Sequence, residues 1–162
     1  METFHKSRLE FQDFGKLAPD ANTALLKLSG AAQASSLDRG LLELVKLRAS
    51  QINGCGFCVA FHVDGAAKLG VSSEKLHMLA VWHETAAFNA RERAALAWTE
   101  ALTIIAGGVT DELYTAVREA FSDRELALLS SIIVAINAWN RLGVAYRFTP
   151  PAITAPALKA AS

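Results

Sequence analysis

Two helix starts are written into this chain as side-chain chemistry, and they constrain its fold more than any other feature. Asn89 precedes Glu92 by three residues, and Ser122 precedes Glu125 by the same interval. That spacing is a capping box, in which each side chain satisfies an orphan backbone N–H of the other residue. Each box opens an Ala/Leu/Ile-rich segment. Strand signals are almost absent. There is no sustained period-two alternation, and Asn53-Gly54 follows a helical stretch, where it fits a C-terminal stop better than a hairpin. The chain is therefore expected to be all-α. Gly54, Gly70 and the Gly107-Gly108 pair punctuate six or seven helices, over residues 22–34, 38–52, 56–69, 73–82, 90–106, 111–120 and 123–142.

With 162 residues the chain fits a single domain that needs neither disulfide nor metal to hold a core. No internal repeat or linker divides it. Residues 1–148 read as the helical domain, and 149–162, rich in Pro and Ala, as an extended or disordered arm. Sixteen acidic and sixteen basic side chains cancel, so nothing points to nucleic acid or an anionic membrane, both of which demand concentrated positive charge. The hydrophobic share of 52 % is slightly high for this size, which burial of apolar surface between subunits would explain. The charged start lacks the apolar run of a signal peptide. The most apolar stretch, 126–139, is too short to span a bilayer and contains Ser130, Ser131 and Asn137, so it reads as a buried helix. A cytoplasmic location is expected, and there two cysteines three apart suggest redox or metal chemistry rather than a structural staple.

Those cysteines form Cys55-Gly-Phe-Cys58, with His62 one turn beyond. At about 100° per residue, Cys55, Cys58 and His62 share a helical sector of roughly 60° if a helix starts near Cys55. A helix start offers free N–H groups and the positive end of the dipole, both of which stabilise a thiolate. Lowering a thiol pKa from about 8.5 to about 7 makes roughly half of it reactive at neutral pH. An imidazole one turn on can take the thiol proton. A thiolate oxidised by peroxide becomes a sulfenic acid, which a second thiol in reach condenses to a reducible disulfide. Glu43 is the candidate carboxylate, a proton relay by one reading and an i,i+4 partner of Arg39 by the other, the latter worth a few tenths of a kcal/mol. Two further readings of the motif stay open: two inert buried thiols, or a zinc site with Glu43, His77 or His83 as the fourth ligand. His5, His77 and His83 otherwise read as surface or interface histidines, and Trp82, Trp98 and Trp139 as core or subunit-contact residues.

The pattern Glu43-x11-Cys55-x2-Cys58-x3-His62 resembles the AhpD-like alkylhydroperoxidase group of the carboxymuconolactone decarboxylase superfamily. The likeness extends through Leu44-Val-Lys-Leu-Arg-Ala-Ser-Gln-Ile-Asn-Gly-Cys-Gly-Phe-Cys-Val-Ala-Phe-His62, through Trp82-His-Glu, through Arg91-Glu-Arg-Ala-Ala-Leu-Ala-Trp-Thr-Glu-Ala-Leu-Thr103, and through Asn137-Ala-Trp-Asn-Arg-Leu142, spanning residues 8 to 148. It implies an all-helical subunit assembled as a homo-trimer or homo-hexamer. It also implies peroxidase or disulfide-reductase activity on an organic hydroperoxide or hydrogen peroxide, without haem, flavin or bound metal and re-reduced by a dithiol. By the same resemblance Cys58 matches the cysteine oxidised by peroxide, Cys55 the one that resolves it, and His62 with Glu43 the proton relay. Where the best-studied type carries a histidine before the second cysteine, this chain has Phe57, so proton transfer falls to His62, Glu43 or water. A decarboxylase of the γ-carboxymuconolactone type and a redox-sensing oligomer are the competing functions.

Overall fold

The computed structural model describes residues 6–33 and 35–154. Among the described residues eight α-helices follow one another: α1 (Phe11–Leu17), α2 (Pro19–Ser29), α3 (Arg39–Asn53), α4 (Gly56–Lys68), α5 (Ser73–Met78), α6 (Ala90–Thr103), α7 (Asp111–Ala120) and α8 (Asp123–Tyr146). Short 3-10 segments, Leu79–Glu84 and Ile105–Gly107, follow α5 and α6. No strand occurs among the described residues.

Local chemistry sets most of the boundaries. Both capping boxes form, Asn89 with Glu92 opening α6 and Ser122 with Glu125 opening α8. Asp38 accepts the Leu41 N–H at the start of α3, and Pro19, needing no N–H partner, begins α2. Gly54 ends α3 with φ 68°, a left-handed conformation that costs glycine nothing.

Four expectations are corrected. The count is eight rather than six or seven, because α1 has no side-chain cap and was not signalled; its Phe11 and Phe14 hold it in place against Trp139 and Phe148. The segment expected as one helix over 73–82 changes to 3-10 geometry after Met78, with Val81 outside helical angles altogether. The helix expected over 22–34 occupies Pro19–Ser29 instead. Finally, α8 runs through Tyr146, and its 24 residues are long and apolar enough to cross a membrane by length and composition alone. What it does here is fill the core. Leu126, Leu129, Ile132, Ile133 and Ile136 are buried, and it lies against α2, α3, α4, α6 and α7.

The centre is α3, which packs on α4, α6 and α8. Its Leu41, Leu42, Leu44, Val45 and Leu47 are all buried, each contributing about 1.5–3 kcal/mol by the usual area bookkeeping. Residues 149–154 have no regular structure and lie against the domain. The Thr149 hydroxyl donates to Glu10 at 2.8 Å, and the Thr154 N–H to Asp64 at 2.6 Å. His5 and the rest of the expected arm, 155–162, lie outside the described residues.

Candidate active site

Helix α4 starts one residue after Cys55, so the first cysteine is itself the N-cap. Its Sγ accepts the Cys58 N–H at 3.4 Å, and the two thiols touch, Sγ to Sγ 2.8 Å, with both cysteines free. The sulfurs are not equivalent. Cys55 is 1 % exposed and lies behind, while Cys58 opens into a cavity of about 340 Å³.

Charge divides the pair further. The Cys58 thiol donates to Cys55, and the Cys58 and Phe57 N–H groups and the Asn140 amide also stabilise a Cys55 thiolate against the opposing cost of burial, bringing its pKa down to about 7. Cys58 is pushed up, first by donating its proton to Cys55, then by burial and by the negative charge beside it. As the pair ionises, near pH 7, the proton that remains is on Cys58 and the anion rests on Cys55. The resemblance implies Cys58 as the thiol that meets peroxide; Cys58 is the one on the cavity, and the resting charge lies on its neighbour.

His62 and Glu43 line the same cavity. His62 Nδ1 lies 2.7 Å from Glu43 Oε2, and Lys46 Nζ donates to the other carboxylate oxygen. Arg39 is not the partner of Glu43; Lys46, at i+3, takes that place. Burial favours a neutral Glu43, but the His62 hydrogen bond, the His62 and Lys46 charges and the Lys46 hydrogen bond outweigh it and hold the carboxyl below its ordinary value. Burial lowers the His62 pKa, and the Glu43 carboxylate only partly opposes it. The neutral imidazole therefore donates from Nδ1 to Glu43 and keeps Nε2 as a base.

Aromatic rings wall the chamber. Phe57 stacks on Phe11 at 5.2 Å between centroids, with Phe148 edge-on at 5.6 Å. Trp139, expected in the core or at a subunit contact, is part of this wall, its indole N–H held by Ser29 Oγ at 3.0 Å. Trp82 and Trp98 are buried elsewhere.

Several site residues escaped the sequence reading. Asn140 is fully buried, its amide favours the thiolate form of both cysteines, and it is fixed by Ser50 at 2.9 Å and Asn53 at 3.0 Å. Gly65 and Gly143 allow the close approaches that bring Glu43 and the cysteines into place: a Cβ on Gly65 would stand 2.8 Å from Glu43 Oε2. The available signals were an asparagine in an apolar run and two glycines inside helices, where glycine costs roughly 1 kcal/mol relative to alanine. The zinc reading gains no ligand set. Among the described residues no three His, Cys, Asp or Glu side chains are arranged to hold a metal ion. His83 sits 3.4 Å from Glu100 and His77 is exposed.

Comparison with known proteins places this arrangement among relatives. The model of the carboxymuconolactone decarboxylase family matches residues 19–101, just over half the chain. YdfG of Bacillus subtilis, an uncharacterised protein, is 36 % identical over 131 residues, covering 80 % of this chain and 89 % of its own. The crystal structure of ATU0492 from Agrobacterium tumefaciens, a protein of unknown function with a proposed role as the antioxidant defence protein AhpD, superposes with TM-score 0.84. It is 38 % identical and is matched over 90 % of this chain and 99 % of its own. The debrominase Bmp8 shares the fold alone, with TM-score 0.76 and 21 % identity over 85 % of this chain and 75 % of its own, so the architecture serves enzymes. By family match, identity and fold together, this chain belongs to the carboxymuconolactone decarboxylase family, in its AhpD-like branch.

Proposed function

We propose that this protein is a cytoplasmic thiol peroxidase that reduces hydroperoxides with the Cys55–Cys58 dithiol. The observation that carries this reading is the 2.8 Å contact between a buried thiol and a second thiol that faces a cavity shared with His62 and Glu43. A hydroperoxide entering the cavity meets Cys58. As the Cys58 sulfur attacks the terminal peroxide oxygen, its proton passes to the Cys55 thiolate and the O–O bond breaks. Cys58 becomes a sulfenic acid, and the leaving alkoxide takes a proton relayed through His62 or water, giving the alcohol. Cys55 then loses its proton and attacks the Cys58 sulfur, and the expelled hydroxide is protonated to water. In sum, the dithiol mono-anion, one hydroperoxide and one proton yield disulfide, alcohol and water. The dithiol gives up the two electrons that the peroxide bond accepts, and an external dithiol of unspecified identity restores the pair by exchange.

The test is a thiol count by mass spectrometry before and after one equivalent of cumene hydroperoxide. Wild type loses two hydrogens, Cys55→Ser carries a trapped sulfenic acid on Cys58, and Cys58→Ser consumes no peroxide. Normal consumption by Cys58→Ser would overturn the reading. Activity toward a carboxymuconolactone in the double serine variant would move the protein to the decarboxylase class. A disulfide that changes subunit assembly with little turnover would make it a sensor.

The working form in this proposal is a homo-trimer or homo-hexamer. Large apolar side chains left in water by the single subunit, among them Ile104, Ile105 and Val134, support it.

A further inference from the structure

Beyond the chamber that holds Cys58, a second cavity of about 250 Å³ shares Ser29, Gln33, Glu43, Lys46 and Ile132 with it and adds Arg39, Leu42 and Leu69. The two adjoin along that shared wall. Near Cys58 the wall is Phe57, Phe61 and Trp139; the second cavity adds two leucines and one charged side chain, that of Arg39. Arg39, Glu43 and Lys46 stand at i, i+4 and i+7 on α3, one stripe along the helix. Lys46 is committed to Glu43, and those two charges cancel. Arg39 makes no ion pair among the described residues, so the far end of the space carries one uncompensated positive charge, with His62 kept neutral by burial.

Hydrogen peroxide has no use for an aromatic chamber, and a neutral alkyl hydroperoxide has no use for a cation beyond it. We propose that the physiological substrate is amphipathic: an organic hydroperoxide whose apolar body fills the chamber beside Cys58 and whose carboxylate pairs with Arg39. The identity of the reacting group rests on the peroxidase reading above; the preference for an apolar anion rests on the cavity and is tested apart from it.

Octanoate and octanol, which carry no peroxide, serve as probes, each titrated calorimetrically into the reduced protein. Octanoate is expected to bind about tenfold more tightly than octanol, the scale of one partly solvated charge-assisted contact. The advantage should shrink as salt is raised and collapse in Arg39→Gln. Arg39 is exposed at the first turn of α3, so the variant keeps its core. Equal affinity for the two probes in wild type, or an undiminished preference in Arg39→Gln, would overturn the proposal. Cumene hydroperoxide consumption by wild type is measured alongside. If it is absent while the octanoate preference holds, the peroxidase reading fails and the anion site stands; if it is present without that preference, the reverse is true. With both in hand, linoleic acid hydroperoxide should show a lower KM than its methyl ester, and equal KM values would count against the carboxylate contact.

Discussion

Gly143 of α8 lies so close to Cys55 that a Cβ at that position would stand 2.6 Å from the cysteine sulfur and 3.8 Å from that of Cys58. A side chain there must displace the buried thiol or push α8 away. Gly143→Ala is expected to destabilise the fold by about 1–3 kcal/mol, the usual cost of overpacking. It should also slow disulfide closure, since Cys55 is the attacking thiol in the proposed mechanism. Denaturant midpoints and the rate of thiol loss after a peroxide pulse measure the two effects separately.

Asn140 is the polar support of the dithiol, favouring the thiolate form of both sulfurs while Ser50 and Asn53 fix its amide. Replacing it with leucine removes a donor from the Cys55 thiolate and leaves Ser50 and Asn53 short of a partner. The first ionisation of the pair should rise from about 7 toward the free-thiol range near 8.5, as read from alkylation rate against pH. A stability loss of about 1–3 kcal/mol should accompany it. An unchanged alkylation profile would remove Asn140 from the account.

Glu43→Gln tests the relay. The carboxylate is what holds the His62 pKa up against burial, so the variant's imidazole should titrate at lower pH in a proton NMR titration. Peroxide turnover should fall about a hundredfold, within the span of general acid–base effects. Wild-type turnover would show that protons reach the site by water alone.

Acid should weaken the fold through the same pair. His62 has a folded pKa below its unfolded value of about 6.5, so the unfolded chain binds more protons as pH drops below that value. The stability from its neutral form is present above about 6.5 and is lost as pH falls through the folded pKa. Glu43, also lowered, adds a loss in the same direction from about 4.3 downward, through its own folded pKa. Denaturant midpoints should decline below about pH 6.5, and less steeply in His62→Gln.

Sedimentation should find wild type at three or six times the 17.4 kDa subunit mass. Val134→Glu, at an exposed position of α8, is expected to shift that mass downward. A wild-type monomer at micromolar concentration would remove the oligomer from the proposal.

What the sequence by itself determined here is what acts over a few residues. Capping boxes at Asn89 and Ser122, the stop at Gly54, and the shared face of Cys55, Cys58 and His62 all depend on hydrogen bonds and helical pitch within one or two turns, so they are legible in one dimension. Even Glu43 came with a defensible local alternative, Arg39, whose place Lys46 takes, and only the approach of α4 to α3, which Gly65 permits, added His62 as a partner. Tertiary structure alone decided the rest. Whether α1 forms, which cysteine faces the cavity, and the arrival of Asn140 and Gly143 at the sulfurs more than 80 residues away in sequence all depend on how α8 crosses α3 and α4. The reason is physical. A cap is completed by its own neighbours, whereas a close approach between distant helices is decided by which apolar faces bury one another, and no short-range pattern encodes that choice.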